Sequence, residues 1–170
     1  MNTLGNQGQP GFSLFEVLVA LVILAIGMLG IAQMLLLTHK TNDASFLRQQ
    51  AVQSAYDVID RIHANRAAAI SGNYTVNNLV TSGAPTVPGA PSTNCSVSVC
   101  SATQLATYDI WYWLASDVSQ LPNGCGSITT AASGLNTLVT VTVQWDSRPA
   151  QQIQGITTPT FSQFIISSEL

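Results

Sequence analysis

Between Val17 and Leu37 the chain reads VLVALVILAIGMLGIAQMLLL, about 21 residues without a charge. At about 1.5 Å per residue, a helix of that length crosses a hydrocarbon core of about 30 Å. A cleaved secretory signal has a shorter apolar core, about 7–15 residues, closed by a small-residue site. Here only Gln33 interrupts the run and no A-x-A site ends it, so the segment reads as a retained membrane helix. Gly27 and Gly30 lower its helix propensity in water by about 1 kcal/mol each, but glycine is common in membrane helices, where it permits close approach.

The helical pattern continues beyond the apolar run. Val52, Ala55, Tyr56, Ile59 and Ile62 recur at helical spacing, while Gln49, Gln53, Asp57, Asp60, Arg61 and His63 occupy other faces. One helix is therefore predicted from about residue 13 to about residue 65. Its first half is apolar all round and its second half amphipathic, as a helix partly in lipid and partly against a globular domain requires. Asp57 and Arg61, four apart in the favourable order, read as a solvated ion pair. Residues 71–94 are rich in Gly, Pro, Ser, Thr and Asn and read as an exposed loop, with a short strand at 74–80. Ser101 followed by Gln104 is a capping-box signature for a second helix. Leu105, Tyr108, Trp111, Leu114, Val118 and Leu121 form its apolar stripe, and Pro122 with Gly124 ends it. Residues 135–145 alternate, with Val139, Val141, Val143 and Trp145 on one face, and a last strand at about 160–166 carries Phe161, Phe164 and Ile166. Two or three C-terminal strands favour an antiparallel sheet. The expected fold is α+β: a long N-terminal helix against a small antiparallel sheet, with one additional helix.

Only 8% of residues are charged, against about 25% in an average soluble domain. Five Lys and Arg face eight Asp and Glu, and the basic residues are scattered, so no nucleic-acid partner is expected. Ser, Thr, Asn and Gln crowd the chain after Thr38, and all three cysteines lie there too, which suits an oxidising, extracytoplasmic location. Cys95, Cys100 and Cys125 leave the disulfide pairing open. A zinc site is not expected: no CxxC occurs, and His39 and His63 lie on the long helix, far from the thiols. No catalytic constellation and no cofactor motif emerge. His63 sits beside Arg61 and Arg66 on a polar face, and Asp109 and Asp117 are two helical turns apart, too distant for paired acid–base work. Trp111, Tyr112 and Trp113 are consecutive, so at least one is expected at the surface or under a partner, a candidate interface.

Upstream of the apolar run stands Gly11-Phe12-Ser13-Leu14-Phe15-Glu16-Val17-Leu18-Val19-Ala20-Leu21. A carboxylate at the edge of a membrane helix costs about a few kcal/mol unless it is paired, so Glu16 requires an explanation. The string resembles the class III signal of type IV pilins and pseudopilins. The resemblance implies cleavage by a prepilin peptidase after Gly11, N-methylation of the new terminus Phe12, and a role for Glu16 in neutralising an N-terminal charge during assembly. An ammonium and a carboxylate held in low dielectric each need an opposite charge, which a neighbouring subunit can supply. The leader itself contains no Lys or Arg, whereas leaders of this kind commonly carry one, and Lys40 and Arg48 stand on the far side of the helix.

The segments 48–51 and 57–66, Gly72-Asn73-Tyr74, Gln104 to Asp109, Trp113-Leu114 and Leu121 to Gly124 are similar to the type IV pilus modification (PilV) family of minor pilins. That resemblance favours Cys95 with Cys100 as the disulfide. It implies a leader at 1–11, a transmembrane and filament-core helix at 12–38, and a periplasmic pilin-like globular domain at 39–170. It implies a low-abundance subunit that primes pilus assembly at the inner membrane and sits near the pilus tip, with other minor pilins and a tip adhesin as partners. The alternatives are a minor pseudopilin of a type II secretion system and an adhesive or DNA-uptake pilin.

Overall fold

The computed structural model describes residues 11–148 and 160–170 and divides into two compact units, residues 1–39 and 40–170. Helix α1, Leu14–Ala64, is the element expected from the sequence. In the first unit its side chains are exposed throughout, including every large apolar one from Leu14 to Leu37.

The second unit has its own core. There α1 buries Ala51, Ser54, Ala55, Val58, Ile59 and Ile62. Tyr56, expected inside, lies half-exposed one step off this stripe. A five-residue helix α2, Arg66–Ile70, follows, then strand β1, Val76–Asn77, two residues of the strand expected at 74–80. Helix α3, Ala102–Tyr112, begins at Ser101 with both halves of the capping box formed: Ser101 Oγ accepts from the Gln104 amide and Gln104 Oε1 from the Ser101 amide. A π-helical turn, Trp113–Asp117, and a 3-10 turn, Val118–Gln120, extend it.

The buried stripe of this segment differs from the expected one. Ala106, Asp109, Trp113, Leu114, Val118 and Leu121 face inward, while Leu105, Tyr108 and Trp111 are only half-buried. Two causes act together. Asp109 is drawn inward by polar partners, and the π turn adds a residue to the period, so that Trp113 and Leu114 are both buried and Val118 stays in line.

The sheet is antiparallel in the order β1-β2-β3-β4, with β2 at Cys125–Ser133, β3 at Asn136–Asp146 and β4 at Phe161–Glu169. Strand β2 goes beyond the individual strands that the sequence pattern predicts. Val139, Val141, Val143 and Trp145 of β3 and Phe164 and Ile166 of β4 pack on α1 and the 102–121 segment, whereas Phe161 belongs to the other face of β4. Gly126 permits this packing, because a Cβ there would lie 2.3 Å from Cη2 of the fully buried Trp113. The opposite face is partly covered as well: Gln144 accepts from the Val80 amide and the Cys125 thiol, and Asp146 accepts from Asn123.

Candidate processing and assembly segment

Gly11, Phe12 and Ser13 precede α1 without regular structure. A Cβ built on Gly11 meets nothing within 4 Å among the described residues, and Phe12 is 84% exposed. Ser13 starts the helix: its Oγ accepts from the Phe15 amide at 3.3 Å, and its carbonyl accepts from Glu16 and Val17 at 3.0 and 3.3 Å. Glu16 thereby sits in the first turn, where a carboxylate complements the helix dipole. Its side chain is exposed and forms no ion pair among the described residues, so its charge is available to a neighbouring molecule. Behind it runs a continuous apolar helix surface. Together these features can present a new amino terminus, one acidic group and a hydrophobic helix to other copies or to lipid. The remainder of the expected leader, residues 1–10, lies outside the described residues.

Elsewhere Cys95 and Cys100 are joined, with Cα atoms 5.7 Å apart, immediately before the cap of α3. Cys125 is free and buried; burial pushes its thiol up, against the Val80 amide, and it donates to Gln144 Oε1 at 2.9 Å. Of the three consecutive aromatics, Trp113 offers no surface at all. Its indole N–H donates to the carbonyl and hydroxyl of Ser54 at 3.0 and 2.9 Å, which removes it from the candidate interface. Trp111 and Tyr112 keep half-exposed faces and pack with Tyr108 at ring-centroid distances of 5.6 and 6.2 Å. His63 is exposed and pairs with Ser168 at 2.9 Å.

The Asp57–Arg61 pair is more than a solvated one. Arg61 Nε donates to Asp57 at 2.8 Å, its Nη1 lies 3.5 Å from Asp109, and the guanidinium stacks over Tyr112 at 4.7 Å. Burial works against this charge, but the carboxylates of Asp57, Asp109 and Asp117 outweigh it and hold the guanidinium pKa above its ordinary value. Asp109 also accepts from Tyr74 Oη at 2.6 Å, and Asn65 donates to Tyr74 at 3.1 Å. Burial, then the bond to Asp109, holds the Tyr74 phenol well above the ordinary range. The sequence signal that could have found this network is Asp109 itself, four residues after Leu105 and four before Trp113 and so on one helix face with both.

Residues 6–32 match the prokaryotic N-terminal methylation motif. Residues 38–111 match the family described as type IV pilin Tt1218, and the two matches together span more than half of the chain. The chain is a type IV pilin-like subunit. No curated protein and no solved structure matches it. Pilins are structural, so this subunit is not an enzyme, and the methylation motif implies processing by a prepilin peptidase. The apolar N-terminal helix is consistent with anchoring in the inner membrane followed by incorporation into a pilus.

Proposed function

We propose that this pilin-like subunit is a minor pilin of the PilV kind, a low-abundance component that primes type IV pilus assembly and lies near the tip. Prepilin peptidase removes residues 1–11, Phe12 becomes the methylated terminus, residues 12–38 form the membrane and filament-core helix, and residues 39–170 contact other minor pilins and a tip adhesin. The observation that carries this reading is an acidic side chain, Glu16, without an ion-pair partner among the described residues, at the head of a helix whose apolar surface is bare for more than twenty residues. Such a surface needs lipid or other helices around it, and in low dielectric the carboxylate needs a cation. The amine created at Phe12 of a neighbouring subunit supplies one. The similarity of segments 48–51, 57–66, 104–109, 113–114 and 121–124 to PilV supports the minor rather than the principal role.

The test is Glu16→Ala expressed from the native locus. Processing is expected to proceed while recovery of the subunit in sheared pili falls at least about tenfold, the equivalent of about 1.4 kcal/mol. Unchanged recovery would refute the charge role. Quantitative mass spectrometry of the wild-type pili should find this subunit far below the principal pilin; equal abundance would refute the minor role, and co-purification with a secretion apparatus instead of a pilus would assign it there.

A further inference from the structure

The groove between α1 and residues 113–120 encloses about 340 Å³ and is lined by Ser54, Asp57, Arg61, Tyr112, Ser116 and Asp117, among others. Asp57 on α1 and Asp117 on the π turn both line this groove. Asp117 Oδ2 is buried and has no hydrogen-bond partner among the described residues. We propose that Asp117 is a proton-operated latch onto Asp57 across this groove, closed while the Asp117 carboxyl holds its proton and loosened when it is ionised.

The charges around the pair decide this. From α1, Asp57 and Arg61 face Asp117; from α3, Asp109 and Tyr112 complete the cluster, with Tyr74 bonded behind Asp109. Three carboxylates thus surround one guanidinium, whose short contacts go to Asp57 and Asp109. With Asp117 ionised, its buried oxygen stands unpaired against a second negative charge, which is unfavourable on both counts. With one proton, the carboxyl of Asp117 becomes a donor to Asp57, Arg61 balances Asp57 and Asp109, and α1 is tied to the π turn. Burial, then the Asp57 charge, raises Asp117 to about 6.

The element that carries Asp117 suits a movable role, because Trp113–Asp117 is π-helical and Val118–Gln120 3-10, so it lacks the regular hydrogen bonding of a continuous α-helix. Trp113, at the start of the same turn, is hydrogen-bonded to Ser54 on α1 and reports whether the groove is closed. The linkage sign follows from a raised carboxyl pKa. The latch stabilises fully below the ordinary carboxylate range, and that stabilisation is lost as pH rises through about 6. The latch lies wholly within residues 40–170 and is independent of the role proposed for Glu16.

The test uses the full chain in detergent micelles, followed by NMR between about pH 4 and pH 8. Carboxyl-carbon shifts should show Asp117 titrating near pH 6. Hydrogen exchange of the Trp113 indole, corrected for intrinsic base catalysis, should accelerate at least about tenfold across the same interval. Asp117→Asn keeps a donor towards Asp57 and should abolish that step, leaving exchange slow at both ends. An Asp117 carboxyl that titrates in the ordinary range near about pH 4 would overturn the proposal, and so would an exchange step that persists in Asp117→Asn. The carboxyl titration is read on the wild-type protein, so it decides the matter even if the variant misfolds.

Discussion

Replacing Gly126 by Ala tests the packing that locks the sheet to the second helical segment. The added methyl would stand 2.3 Å from Trp113 Cη2 and 2.9 Å from Cζ3. Ordinary carbon contacts lie at about 3.5–4.0 Å, so the ring or the strand must shift by more than about 1 Å. The ring cannot swing away cheaply, because Trp113 is fully buried and its N–H is held by Ser54 at 2.9 and 3.0 Å. The strand is no freer, since Gly126 pairs with Val143 in the middle of the core. The cost belongs at the upper end of the overpacking range, about 3 kcal/mol. For a domain of this size that corresponds to a fall in Tm of about 10 °C by circular dichroism or calorimetry. In a Trp113→Phe background, whose shorter ring leaves the contested space, the same Gly126→Ala change should cost under about 1 kcal/mol, a coupling that a double-mutant cycle measures directly. A fall of less than about 2 °C in the single variant, or equal costs in both backgrounds, would refute the close approach.

Ser101→Ala removes the acceptor for the Gln104 amide and should lower stability by about 1 kcal/mol in denaturant titration, whereas Ser101→Gly should cost only about a few tenths. Asp146 is buried, and the Arg148 guanidinium at 2.9 Å holds its carboxyl below the ordinary range, against the effect of burial. That pair therefore stabilises above the ordinary carboxylate pKa and its contribution is lost as pH falls through the lowered value. Acid unfolding monitored by far-ultraviolet dichroism should accordingly be less steep in Asp146→Asn, and identical acid limbs would refute the assignment.

The parts of the fold that were legible in the sequence are those specified locally. Twenty-one uncharged residues admit few readings, the Ser101–Gln104 box announces its own helix, and the alternation at Val139, Val141, Val143 and Trp145 marks a strand without help from its neighbours. Strand β2 is different. Its sequence CGSITTAAS holds one large apolar residue, Ile128, and one of its inward positions is left empty by Gly126 to admit Trp113, so the strand is defined by what packs on it. The stripe of α3 differs from the expected one for a related reason: Asp109 is buried through contacts with Tyr74 and Arg61, residues distant in sequence, and the π turn shifts the period. Gly11, Phe12 and Glu16 stand together in the chain and could be read as one motif. Asp57, Arg61, Tyr74, Asp109 and Asp117 are spread over positions 57–117 and meet only in the folded domain.

The most direct test of the central reading is the intact mass and N-terminal sequence of the protein recovered from membranes, with and without an active prepilin peptidase. With the peptidase, the chain should begin at Phe12, lack residues 1–11, retain the apolar run and carry one added methyl group on its terminal amine. Without the peptidase it should keep the leader. A chain cleaved beyond Leu37, or one that keeps residues 1–11 when the peptidase is active, would contradict the assignment of this protein to the processed pilin-like subunits.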